Sequence, residues 1–184
     1  MPGVKLARAV DNLLIQRIRK SLDQSFEKHI DMSNCVGLPE REITGKFLSR
    51  ALAAFCLCSL TECDAAAAGA AITDGHHDGG LDGIYFNEAD KTLYLVQSKW
   101  SSAGNHTIDP DEVRKLLDGI QNLIGTQNFS VFNEKIRAKE PEIRALMRLD
   151  VRVAIVLATT SPQPLPDEAE RPLKAFLKIG RAHV

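Results

Sequence analysis

The stretch Leu81–Lys99, LDGIYFNEADKTLYLVQSK, holds two short apolar runs around the turn-rich connector Asn87-Glu88-Ala89-Asp90-Lys91. No other segment constrains the fold as much, because two such runs at hairpin spacing pair antiparallel across the turn. Side chains alternate along a strand, so Leu93, Leu95, Gln97 and Lys99 share one face. The two leucines can meet a core, and Gln97 and Lys99 then emerge on the same side at the strand's end. The preceding strand, Leu81 to Phe86, runs the other way and brings Asp82 to that end. An amide that closes an apolar strand is costly to bury unless it is hydrogen-bonded or ligating. That makes Gln97 the informative member of the three.

The rest of the chain supplies helices and one further strand. Val10, Leu14, Ile18, Leu22 and Phe26 recur at four-residue spacing and predict a helix over about 4–29. Asp31, Ser33, Asn34 and Gly37 break it. Pro39 opens a second helix, about 40–60, with Phe47, Leu48, Ala51, Leu52 and Phe55 as its apolar stripe. CDAAAAGAAITDG is ambiguous between alanine-driven helix and a strand, and a short strand near 68–73 is expected. TIDPDEVRKLLDGIQNLI carries a full helix start: Asp109 to cap, Pro110 at the first position and Glu112 for a capping box. Another helix is expected over about 133–148. VRVAIVLATT, Val151 to Thr160, reads as a strand buried on both faces, and Pro162 to Pro172 as a Pro- and acid-rich loop. A hairpin, a helical crossover and a buried strand imply an α/β domain with a mixed central sheet flanked by helices, behind an added N-terminal helix.

Bulk properties bound the function. The 184 residues, 44% hydrophobic and 26% charged, suit a soluble globular protein. No apolar run approaches the roughly 20 residues of a bilayer span, and Met1 to Leu14 lacks signal-peptide character, so a cytoplasmic protein with no membrane partner is expected. The net charge of −1 does not mark a nucleic-acid binder, although Arg17, Arg19 and Lys20, and again Arg41, Lys46 and Arg50, form local basic clusters. Cys35, Cys56, Cys58 and Cys63 include no Cys-x-x-Cys pair and are read as small buried thiols rather than zinc ligands.

A carboxylate and an amide carbonyl are hard oxygen ligands suited to Mg²⁺ or Mn²⁺. Lys99 beside them can orient a nucleophile or stabilise charge on a phosphorane. Glycines 79, 80 and 83 would let backbone approach a phosphate. Asp82, a turn, and then Gln97-Ser98-Lys99 resemble the Asp…(Asp/Glu)-x-Lys signature of the PD-(D/E)xK nuclease superfamily, with Gln as the middle ligand. FLSRALAAF, ITDGHHDGGLDGIYF, LYLVQSKW and VRKLLDGIQNL, in that order, resemble the N-terminal region of abortive-infection phage-resistance (AIPR) proteins over about residues 10–160. The resemblance implies a restriction-endonuclease-like fold and metal-dependent endonuclease activity in anti-phage defence. It further implies nucleic acid as substrate, DNA ahead of RNA, and a large C-terminal region that this chain lacks; an oligomer is left open.

The implied site has Asp82, Gln97 and Lys99 as catalytic residues, with Asp82 and Gln97 on the metal. Superfamily members often add an acid from the first core helix. Glu42 is taken for that role, on the metal as well, although nothing in the spacing separates it from Glu40. Asp78 and His77 are candidates for a surrounding shell, while His76 and His77 as zinc ligands compete with an exposed Gly-rich loop. Trp100 is expected to point away from Gln97 and Lys99, into core or interface. Gln97 removes one negative charge from the common pattern. An inactive module of this fold, binding nucleic acid or a protein partner, is therefore the alternative.

The expected organisation is an N-terminal helix and linker over 1–38, a nuclease-like core over 39–160 and a linker over 161–178 towards the missing region. The last residues, IGRAHV (179–184), match the in-frame translation of a common short-read sequencing adapter, which continues into a stop codon. They are expected to be read-through and are excluded from the fold.

Overall fold

In the computed structural model, which describes backbone over residues 3–181 and side chains over 13–178, contacts divide the chain into two compact units. The first takes in the chain up to Ile72 with Ser98–Thr107 and Ala158–Pro164; the second holds Thr73–Gln97, Ile108–Leu157 and the chain from Leu165. The expected read-through at 179–184 lies partly outside the described residues.

Helices α1 (Gly3–Phe26), α2 (Glu40–Thr61) and α3 (Ala65–Ala70) build the first unit. On α1 the buried positions are Ile15, Leu22 and Phe26, whereas Leu14 is half exposed. Of the expected stripe, Leu14 and Ile18 are exposed and Leu22 and Phe26 buried, while Val10 lies outside the described side chains. α2 buries Leu48, Ala51, Leu52 and Leu57, while Phe55 is exposed. By length and composition alone α2 also passes as a bilayer span, with a window of mean hydropathy 1.4. Its interior explains that apolarity, and the same interior holds an arginine. Arg50 is completely buried and donates through Nη1 to the Asp31 carbonyl (2.6 Å) and to Asn34 Oδ1 (2.9 Å). Arg50 is therefore not part of a basic surface cluster; it ties the turn at 31–34 to α2.

The expected strand near 68–73 is helix α3, with Ile72 in an isolated bridge. Asp64 caps it by accepting from the Ala67 amide (2.7 Å), and with the cap in place alanine's helix propensity decides the segment. Cys35 is buried, but Cys56, Cys58 and Cys63 are only partly so, and all four are free thiols. Burial, then the neighbouring Cys63, pushes the Cys58 thiol up to about 11.

Three strands, β1 (Gly83–Asn87), β2 (Thr92–Lys99) and β3 (Arg152–Thr159), form a mixed sheet in the order β1-β2-β3. β1 and β2 pair antiparallel with Gly83 opposite Val96 and Asn87 opposite Thr92. β3 runs in the direction of β2. The Arg152 amide donates to the Lys91 carbonyl (2.9 Å) near the start of both strands, and Ser101 and Thr160 are bonded beyond their ends (2.9 Å). The hairpin turn is fastened by Tyr94, whose hydroxyl donates to Asp90 Oδ2 (2.7 Å). That bond holds the Asp90 carboxyl below its ordinary 3.8 and the Tyr94 phenol above its ordinary 10.0. Its contribution is present between those limits, fading as pH falls through the lowered carboxyl value or rises through the raised phenol value.

The second unit's core lies on the sheet face that carries Ile84, Leu93 and Leu95, as expected from alternation. α4 (Pro110–Ile120) covers it with Leu116 and Ile120, and a π turn at Gln121–Gly125 adds Leu123. α4 starts with the full capping box of Asp109 and Glu112. The helix expected over 133–148 is two short ones, α5 (Glu134–Arg137) and α6 (Glu140–Leu146). Pro141, which has no amide to donate, stands in the first turn of the second. β3 is an edge strand, largely half exposed, and not buried on both faces. The Pro- and acid-rich segment is a loop only to Pro166: α7 (Asp167–Arg181) follows, with Asp167, Glu168 and Glu170 in its first turn. Its Ala169 is buried against Ile108 and Val113. The sequence pattern missed it because Pro172, inside the helix, reads as a breaker.

Replacing Arg50 by Ala opens a cavity and strands the Asp31 carbonyl. We expect a loss of about 2–4 kcal/mol, read as a lower urea midpoint with an unchanged slope.

Candidate metal centre

Asp82 stands one residue before β1. Its amide donates to the carbonyl of Val96 (2.8 Å), the residue already paired with Gly83, so the chain bulges here and the regular ladder ends at Gly83. Asp82 thus stands just outside the ladder, at the end of the hairpin where β2 carries Gln97. Strand alternation puts Lys99 on the same face of β2, two residues on. The hairpin logic for Asp82 and Gln97 therefore holds within the second unit.

Gln97 is 6% exposed, and its Oε1 is buried without any hydrogen-bond partner among the described residues. A buried amide oxygen left unpaired costs about 1–3 kcal/mol. Here that oxygen lies at the same end of the hairpin as Asp82.

The segment between Thr73 and Asp82 folds back on itself. The amides of Thr73 (2.9 Å) and Asp74 (3.2 Å) both donate to the Asp82 carbonyl, and the Thr73 hydroxyl donates to the Leu81 carbonyl (2.6 Å). This closure gathers Asp74, Asp78 and Asp82, each with a carboxylate oxygen within 4.8 Å of the others. Among the described residues no other three His, Cys, Asp or Glu side chains come together in this way.

The three carboxylates are not equivalent. Asp78 is buried; its Oδ1 accepts from the Gly80 amide (2.7 Å) and from Lys115 Nζ on α4 (2.7 Å), and its Oδ2 from the Gly75 amide (3.2 Å). Asp78 thus shapes the loop. Asp74 and Asp82 are half-buried at its two ends.

Glycines 79 and 80 have a packing role. Both have positive φ, and a Cβ at Gly80 would meet the Leu116 backbone at 3.0 Å. One at Gly79 would meet the Phe132 ring at 2.7 Å. They let the loop lie flat on α4, where Lys115 reaches Asp78.

His76 and His77 are exposed, with ring centroids 3.8 Å apart, and His77 adopts φ 59°. Neither belongs to the carboxylate group. Glu40 and Glu42 are both exposed in the first turn of α2, in the first unit. Asp74 is the member of the group that strand alternation does not single out; its signal in the sequence is three aspartates in one glycine-rich segment.

The first unit carries a groove of about 740 Å³ lined by Arg19, Arg41, Trp100, Asn105 and His106, with Glu40 at its side. The only tryptophan is half-buried there, so it does face a cavity.

No family model, curated protein or solved structure matches this chain.

Alanine in place of Gly80 meets both a positive φ and the α4 backbone. The variant should lose about 1–3 kcal/mol and melt several degrees lower by calorimetry.

Proposed function

We propose that the chain is a nuclease module that hydrolyses phosphodiester bonds with a divalent cation, Mg²⁺ or Mn²⁺, held by Asp82 and Gln97. The observation that carries the reading is the buried, unpartnered Gln97 Oε1 at the end of the hairpin where Asp82 stands. An amide oxygen beside a carboxylate is a donor set that fits a hard cation. When bound, the cation would acidify a water molecule and offset charge building on the phosphate.

The remaining roles fall to the chain's own groups. Lys99 supplies an ammonium at the end of β2, to orient the attacking water or hold the phosphate's developing charge. Asp78 and Lys115 keep the loop in place, so that Asp82 needs no rearrangement. Glu42, exposed in the first turn of α2, is proposed as the helix acid on the resemblance alone. The groove with Arg19, Arg41, Trp100 and His106 suits a nucleic-acid strand, cations to phosphate and an indole to a base. The quoted motifs resemble a restriction-endonuclease-like, AIPR-type module acting in the cytoplasm in anti-phage defence, and DNA is proposed ahead of RNA.

One observation favours the binding-only alternative. With Asp78 committed to the loop and Gln97 uncharged, few anionic ligands remain for a catalytic cation.

Incubated with plasmid and single-stranded substrates and Mn²⁺ or Mg²⁺, the chain should cleave, and Asp82→Ala and Lys99→Ala should each lower the rate on the order of 10²-fold or more. Cleavage that survives both substitutions refutes the nuclease reading; no cleavage with binding retained selects the alternative. The lone tryptophan offers a second measurement. A single-stranded oligonucleotide should quench its fluorescence, and Trp100→Ala should weaken binding by about 1–3 kcal/mol.

A further inference from the structure

We infer that the groove in the first unit selects single strands: it takes an unpaired nucleotide, stacks the base on Trp100 and needs no divalent cation. The inference rests on the reading of this groove as a nucleic-acid site just given. It adds the form of nucleic acid accepted, and Gly45 as the residue that admits it.

The groove, about 740 Å³, lies wholly within the first unit, lined by α1, the start of α2 and the segment that begins at Trp100. On α2, Arg41, Thr44, Gly45 and Leu48 stand at i, i+3, i+4 and i+7, so one helix face forms a wall. Leu48 is buried and gives that wall an apolar base, whereas Arg41 is exposed. Arg19, from α1, pairs loosely with Asp23 at 3.8 Å and is half exposed. Both guanidiniums are open to a phosphate.

Gly45 is the telling residue. Glycine weakens a helix interior relative to alanine, yet a Cβ added here would meet nothing within 4 Å. Neither a positive φ nor a close neighbour calls for it, in contrast to Gly79 and Gly80. Its effect is to leave the middle of the wall bare.

The dimensions exclude a duplex. A site of this volume is of small-ligand size, and inside a duplex both faces of each base are covered by neighbouring pairs. An indole half-buried in a groove can therefore stack only on a base free of a helix. Arg19 and Arg41 outnumber Glu40 on the lining, which suits a phosphate beside that base, and Glu40 can accept from a base amino group. Side chains make all of these contacts, so binding should persist in EDTA.

The test follows the fluorescence anisotropy of a labelled oligonucleotide in EDTA at low salt, single-stranded or annealed to its complement, with AMP as competitor. The single strand should bind about tenfold or more tightly than the duplex. Gly45→Ala should keep that affinity within about twofold and melt higher, because the methyl group has room and favours the helix. Gly45→Leu and Gly45→Gln, which fill the groove, should melt no lower than wild type yet bind about tenfold or more weakly. A purely structural role for Gly45 would not separate binding from stability in this way. Arg41→Gln, at an exposed position, should weaken binding and flatten its salt dependence, and it decides the matter if a Gly45 variant melts low. If Gly45→Leu, Gly45→Gln and Arg41→Gln all bind like wild type, the strand is held elsewhere and the inference fails, with nucleic-acid binding intact. If the duplex binds as tightly as the strand, or AMP competes as well as unlabelled strand, the single-strand selection fails. If neither form binds, the nucleic-acid reading of the groove falls as well.

Discussion

The bond from the Asp82 amide to the Val96 carbonyl is the one on which the site depends. It ties Asp82 to the residue already paired with Gly83, so the chain bulges as it enters β1 and Asp82 is fixed at the polar end of β2. A slip of one position in the pairing would turn the apolar face of the hairpin out of the core. The register is held from both ends. The Tyr94–Asp90 bond fastens the turn, and Ile84, Leu93 and Leu95 must all reach the same core.

Next to that hairpin the loop from Thr73 to Asp82 gathers three carboxylates, those of Asp74, Asp78 and Asp82. Asp78 is satisfied by two amides and a lysine. This leaves a rigid support beneath Asp74 and Asp82, on a helix whose start is itself locked by a capping box. The glycines serve packing, since Gly79 and Gly80 lie where α4 and the Phe132 ring leave no room for a side chain. Loop, helix and hairpin thus form one mechanical unit within the second half of the structure. The orphaned oxygen of Gln97 is the polar cost left at its centre.

Much of this was legible in the sequence, and the omissions have physical causes. The period-2 alternation of the hairpin and the capping signals of α4 depend on neighbours in sequence, and both came out as read. Periodicity alone went astray where burial depends on distant partners. Leu14 continues the spacing of α1 yet is half exposed, and β3 is as apolar as a buried strand yet sits at the edge of the sheet. Arg50 looks like surface charge in a sequence, because only the turn at 31–34 provides the carbonyls that bury it. Asp74 was hidden for a related reason. Its proximity to Asp82 depends on a loop closing on itself, and no strand or helix repeat announces that.

The closeness of Asp74, Asp78 and Asp82 along the chain has a consequence for how such a site assembles. Ligands drawn from distant parts of a protein meet only when the whole fold is complete, and each pays for closing a long stretch of chain. Here the ring is short, so the entropy of closure is small and rises only slowly with any added residues. The loop resembles a multidentate chelator spliced into a hairpin, whose effective local concentration of carboxylate is set by nearby bonds rather than by global architecture. Such a segment can keep its carboxylates together while sequence elsewhere in the protein drifts.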